Sequence, residues 1–302
     1  MKKTNGKILA ISLAALVAVP SAAMFSGCGK SADLRIYNCY DYIDESLLDD
    51  FVSYYKDKTG KDIKVEYSCF DTPEDCYNSL KIDGSAYDLI CPSDYMIEKM
   101  AREDMLEEIT LSADGAYNKN VSPFIKNKFE EISWGDKSLS DYAAGYMWGT
   151  LGLVYNTKTV KSENMKSWSY LWNDEIKGRF TIKNSVRDTY FIGLAEYYKD
   201  RLEEYKTITD KTEYANKLKA AFNDTEETTV NAVKGILIDL KNRSKGLEVD
   251  SGKDDILKGD IDVYFAWSGD AVYAMDRGLY DEEGNELADD KKIYLDYSVP
   301  ED

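Results

Sequence analysis

Between Leu34 and Met100 the chain alternates short β-forming runs with amphipathic helical runs, and this alternation constrains its fold more than any other feature. Leu34-Arg35-Ile36-Tyr37 reads as a strand, after which Leu47, Leu48, Phe51, Val52 and Tyr55 recur at helical spacing until Gly60 offers a stop. Ile63 to Tyr67 alternates like a strand. Thr72-Pro73-Glu74-Asp75 supplies an N-cap, a proline at the first helical position and an acid at the third, which opens a helix through Leu80. Tyr87 to Cys91 is a third strand, and Pro92-Ser93-Asp94 turns it into a helix carrying Met96, Ile97 and Met100. A β-α-β-α-β-α order calls for a parallel sheet, because parallel neighbours need a crossover and a helix is the usual one. The loops at the carboxyl ends of the strands then share one edge, where open α/β sheets bind ligands.

With 302 residues the chain is too long for one compact core and suits two lobes. Residues 110 to 142 are polar and read as an irregular surface connection. The stretch from Tyr146 to Tyr155 is rich in β-formers and glycine and reads as the crossing into a second lobe. There, Ser167-Trp168 opens a short helix, Gly178 to Lys183 forms a strand, and Asp188 begins a helix through Tyr198. Residues 200 to 258 read mainly as charged amphipathic helices, followed by a buried strand from Ile261 to Trp267.

Aromatic residues and carboxylates coincide on the loops this topology gathers: Cys39-Tyr40-Asp41-Tyr42, Cys69-Phe70-Asp71, Ser93-Asp94-Tyr95 and, in the second half, Trp267 to Asp270. Ring faces cover methylene groups and attract ammonium charge, and carboxylates neutralise amines, so the combination suits an organic cation. A net charge of −18 is compatible with a cationic solute and opposes binding to nucleic acid. The chain has no histidine, which removes Ser-His-Asp and Cys-His hydrolases and imidazole-based zinc sites. Acid pairs such as Asp49-Asp50 and Asp254-Asp255 leave a carboxylate-dependent glycosidase as the enzymatic alternative, although adjacent acids in an acidic chain are mostly solvated surface. No metal or cofactor is expected. Cys39, Cys69, Cys76 and Cys91 match no metal-binding spacing and allow three complete disulfide pairings.

Two resemblances sharpen these expectations. Lys2, Lys3 and Lys7, the apolar run Ile8 to Val19 and Ser26-Gly27-Cys28 resemble a bacterial lipoprotein signal, with Phe25 bulkier than the Leu usual at that place. The pattern implies cleavage before Cys28, a lipid anchor on its sulfur, and an extracytoplasmic location on the outer face of the cell membrane or in the periplasm. Cleavage would leave 35 of the 38 basic residues against 56 acidic ones. The ordered set Tyr37-Asn38 … Tyr42, Tyr87 through Tyr95, Trp148-Gly149-Thr150 … Tyr155-Asn156, Ser167-Trp168 … Leu171-Trp172 … Lys177-Gly178 and Trp267-Ser268-Gly269-Asp270-Ala271 resembles the spermidine/putrescine-binding proteins of polyamine ABC importers.

That resemblance implies an α/β, two-lobed, type II periplasmic-binding-protein-like fold. The corresponding domains are a signal over 1–27, an N-terminal lobe over 28–145 and a second lobe over 146–302. It implies a non-enzymatic, extracytoplasmic binder of putrescine or spermidine that delivers its ligand to an ABC permease, with a ferric-ion or sugar binder of the same fold as the alternative. Ligand contacts are implied at Tyr40, Asp41, Tyr42, Ser93, Tyr95, Asp188, Trp267 and Asp270. Many relatives carry Trp where this chain has Cys39, and some carry an acid where it has Ser185. Relatives also continue through a return crossing beyond the point matching Tyr297 to Asp302, so a truncated C-terminal part is expected.

Overall fold

The computed structural model describes residues 32–301, and the expected signal segment and Cys28 lie outside them. The chain divides into two compact units that meet between Met96 and Ile97. The sequence instead places the passage between lobes at 145/146. Residues 110 to 142 are also more regular than expected. They fold into short helices and a β-ribbon, with the Trp134 and Tyr142 rings stacked at 5.8 Å, elements too short to stand out among polar residues.

In the first unit, β1 (Leu34–Cys39), β2 (Val65–Phe70) and β3 (Leu89–Ile90) form a parallel sheet in the order β2-β1-β3. The helices α1 (Ser46–Thr59) and α2 (Pro73–Ile82) are the crossovers, and α3 (Asp94–Arg102) follows β3. The punctuation works as read from the sequence. Gly60 ends α1 in the left-handed region at φ 70°, and its amide donates to the Lys56 carbonyl. Thr72 and Asp75 form a reciprocal capping box on α2 with Pro73 at its start. Tyr37 packs edge-on to Phe70 at 5.0 Å and stacks on Tyr87 at 4.1 Å, giving the sheet an aromatic centre. The apolar stripe of α1 is only half-buried.

In the second unit, α4 (Ala116–Asn120), α5 (Pro123–Glu131) and the ribbon β4 (Ser133–Trp134) with β5 (Lys137–Ser138) precede the main sheet. That sheet comprises β6 (Leu151–Asn156), β7 (Phe180–Lys183), β8 (Gly246–Glu248), β9 (Val263–Trp267) and β10 (Leu295–Ser298) in the order β10-β6-β9-β7-β8. β7 lies parallel to β8 and β9, whereas β6 runs antiparallel to β9 and β10. The helices are α6 (Val186–Tyr205), α7 (Lys211–Phe222), α8 (Glu227–Arg243), α9 (Gly252–Leu257) and α10 (Ser268–Arg277). Leu153, Tyr155 and Phe265 face one core layer, while Val154, Tyr264 and Ala266 face another. Burial of both faces explains why β9 reads as an unbroken apolar run instead of an alternating one. Among the described residues no helix is long and apolar enough to cross a membrane.

Candidate functional site

The eight predicted residues fall into two groups, one in each unit. In the first unit β1 delivers Tyr40, Asp41 and Tyr42 to the turn after Cys39, with Tyr40 exposed and Tyr42 half-buried. Asp41 adopts φ 59°, a left-handed conformation that Asp tolerates better than most side chains, and this reverses the chain at the sheet edge. Ser93 precedes α3 and its carbonyl accepts from the Met96 amide. Tyr95, in the first turn of α3, donates its hydroxyl hydrogen bond to Glu74 Oε1 at 2.8 Å, so part of its polar capacity serves the unit itself. β1 and β3 are neighbours and the Cys91 amide donates to the Tyr37 carbonyl, which puts the two loops beside each other at the carboxyl edge.

The same edge holds a group of thiols. Cys39, Cys69, Cys76 and Cys91 are all free cysteines. Burial pushes the Cys39 and Cys76 thiols up to about 12 and that of Cys91 to about 11, and neighbouring cysteines add to the rise at Cys39 and Cys76. Cys39 therefore belongs to a desolvated thiol group at the end of β1.

The second unit builds a more definite constellation. β7 ends at Lys183, and Ser185 caps α6, its hydroxyl accepting from the Asp188 amide at 3.3 Å. This cap holds Asp188 in the first turn of α6, where it is 9% exposed. Burial raises its carboxyl above the ordinary range, opposed by hydrogen bonds from Ser185 and Trp267 and by the charges of Arg187 and Lys183. Trp267 closes β9, the parallel neighbour of β7, so two predicted residues from distant segments come into direct contact. Gly149 lets the segment before β6 approach the Trp267 turn: a Cβ there would lie 2.7 Å from Ser268 Oγ and 3.7 Å from the Trp267 ring. The Ser268 amide donates to the Thr150 carbonyl at 2.9 Å, pinning the segment before β6 against the Trp267 turn.

Asp270 is placed differently from a simple ligand carboxylate. Its Oδ2 lies 3.7 Å from the Nζ of Lys183, a side chain only 7% exposed, so an internal cation already faces it. Lys183 also pairs with Glu248 Oε1 at 3.3 Å and donates to the Val249 carbonyl at 2.8 Å. Burial raises the Glu248 carboxyl, offset by Lys183 and by the Gly252 amide donating to Oε2 at 3.0 Å. Lys183 and Glu248 were missed from the sequence, although Lys183 ending an apolar strand was a usable signal, since a buried charge needs a partner. Two surface cavities, about 420 Å³ beside Glu45, Leu48, Val52 and Val65 and about 320 Å³ beside Tyr117, Ile125, Tyr146 and Trp148, are lined by none of the eight predicted residues.

Comparison with known proteins places this geometry in a family. Residues 50–299 match the model for bacterial extracellular solute-binding proteins. The spermidine/putrescine-binding periplasmic protein of Escherichia coli (strain K12) is 28% identical over 247 residues, 81% of this chain and 61% of that relative. The chain thus spans about three fifths of that relative's length. A solved structure titled a putative spermidine/putrescine ABC transporter from Listeria monocytogenes superposes with TM-score 0.62 at 26% identity, covering 88% of this chain and 68% of that one. The Tp0655 (TpPotD) lipoprotein of Treponema pallidum superposes with TM-score 0.64 over 88% of this chain and 70% of its own, and at 20% identity it speaks for the fold alone. The two-lobed α/β solute-binding fold expected from the sequence is borne out by these likenesses. With a family model spanning most of its length, this chain belongs to the bacterial extracellular solute-binding proteins.

Proposed function

We propose that the chain is the substrate-binding component of a polyamine ABC importer, holding putrescine or spermidine and passing it to a permease without covalent chemistry. The observation that carries the reading is the Asp188–Trp267 pair, a buried carboxylate beside an indole where the parallel strands β7 and β9 end. Such a pair offers charge to an ammonium group and a ring to the adjoining methylenes, and both attractions strengthen where water is excluded. The names of the E. coli relative and the Listeria structure support the same ligand class. Tyr40, Asp41, Tyr42, Ser93 and Tyr95 are proposed as the contacts contributed by the first unit, and a lipid on Cys28 as the anchor outside the cytoplasm.

Thermal unfolding with added ligand tests this, because a ligand bound only by the native state raises its melting temperature. Putrescine or spermidine should raise Tm while glutamate and maltose leave it unchanged. Equal and negligible shifts with both amines would remove the polyamine reading; stabilisation by ferric ion or a sugar in their place would favour the alternative ligands.

A further inference from the structure

Lys183 is a charged side chain enclosed in the second unit. It ends β7 in register with Glu248 at the end of β8, and β7 is buried along its whole length. Its ammonium meets one carbonyl, that of Val249 at 2.8 Å, and two carboxylates, Glu248 Oε1 at 3.3 Å and Asp270 Oδ2 at 3.7 Å. Glu248 Oε1 is fully buried and makes no well-directed hydrogen bond, so this oxygen faces the cation without being saturated by it. Enclosing an ammonium costs several kcal/mol unless charge and hydrogen bonds compensate. Carboxylates, a carbonyl and an apolar sleeve are what a primary alkylammonium requires, and the Lys183 side chain is itself a butylammonium attached to the backbone. The Thr189 hydroxyl donates to the Lys183 carbonyl at 2.6 Å, which fixes the first turn of α6, carrying Asp188, to the end of β7 that carries Lys183.

We propose that this pocket is an amine subsite occupied by the protein's own Lys183, which withholds Asp270 and Glu248 from the ligand and leaves Asp188 as the second unit's amine partner. Lys183 thereby sets specificity, favouring a short diamine over a longer triamine. The specificity claim rests on the proposed polyamine function, whereas the existence of the subsite does not.

Lys183→Ala in the full chain tests both. It removes three of the four side-chain carbons with the ammonium, a propylammonium in length, and leaves the three oxygens. n-Propylammonium chloride should raise the melting temperature of Lys183→Ala by several degrees and leave the wild type unchanged, with sodium chloride and n-propanol as controls. The spermidine-to-putrescine affinity ratio should rise at least tenfold in Lys183→Ala and stay at the wild-type value in Lys183→Arg. If Lys183→Ala does not fold unaided, recovery of folding with n-propylammonium supports the subsite. Lys183→Ala/Glu248→Gln, which removes a carboxylate together with its counter-ion, then supplies the affinity ratio. Rescue with an unchanged ratio overturns the specificity role, and absence of selective stabilisation in both variants overturns the subsite. If the wild type binds neither polyamine, the transport reading fails by itself, and the propylammonium measurement still decides the subsite.

Discussion

Asp188 is where single-residue chemistry matters most. Asp188→Asn keeps the shape and an oxygen for Trp267 but removes the charge, so amine binding should weaken by about 1.5 to 3 kcal/mol, the range for hydrogen bonds to charged groups. Asp254→Asn, on α9, should leave calorimetric affinity unchanged; equal weakening by both would reduce the effect to overall charge. Burial raises the Asp188 carboxyl, so protonation removes the ammonium partner at a higher pH than for an exposed aspartate. Polyamine affinity should accordingly fall on acidification before exposed carboxylates titrate. Stability without ligand runs the other way. The cost of burying charged Asp188 and Glu248 is fully present above their raised folded values and disappears as pH falls toward the unfolded ones, so stability rises on acidification through that window. Unfolding and binding measured on one pH series should show opposite slopes there. The desolvated thiol of Cys39, a position where the family resemblance leads one to expect Trp, sits among three other cysteines. Cys39→Trp should therefore overpack the end of β1 and cost about 1 to 3 kcal/mol without tightening polyamine binding. Unchanged Tm with improved affinity would show instead that a ring had been missing.

Among the elements, β6 depends on Gly152. A Cβ at that position would lie 2.5 Å from the Ser298 carbonyl and 2.6 Å from the Tyr297 ring, so any side chain pushes β10 away from β6. Gly152→Ala should cost about 1 to 3 kcal/mol in denaturant unfolding. Gly246→Ala in β8 is the control: nothing lies within 4 Å of its Cβ position, so it should be close to neutral. Elements with strong local grammar were legible, including the Thr72–Asp75 box on α2, the Gly60 stop on α1 and the apolar run of β9. The short elements α4, α5, β4 and β5 were not. Two-residue strands, a five-residue helix and a nine-residue helix have too few turns for a period to emerge, and tertiary packing decides them. β8 was hidden because Gly246 to Glu248 carries one apolar side chain and joins the sheet through its neighbour β7.

For the whole molecule, 56 acidic residues against 38 basic ones give a net charge of −18. That field attracts a polyamine cation over distances comparable to the Debye length, about 10 Å at 0.1 M salt. Association rates measured by stopped-flow tryptophan fluorescence should fall as salt rises, while dissociation rates change much less. An association rate insensitive to salt would confine the charge effect to local contacts. The proposed ligand is legible only as a class: aromatic and acidic loops suit an organic cation, and two ammonium groups or three satisfy that description alike.

Local rules determined much of this protein before any coordinates. Strand-helix alternation dictated a parallel sheet and therefore a shared loop edge, and the ordered motifs pointed to the solute-binding family. Tyr40, Ser93 and Trp267 could be placed at strand ends because a strand's end is written in its own few residues. What each acid does there was not written locally. Asp188 and Asp270 look equivalent in sequence, yet one is held beneath an indole and the other faces Lys183. The difference arises because β7, β8 and β9 align in parallel, bringing residues 183, 248, 267 and 270 to one sheet edge. Charge pairing in a buried site depends on distance, and distances between remote segments are created only when the sheet assembles.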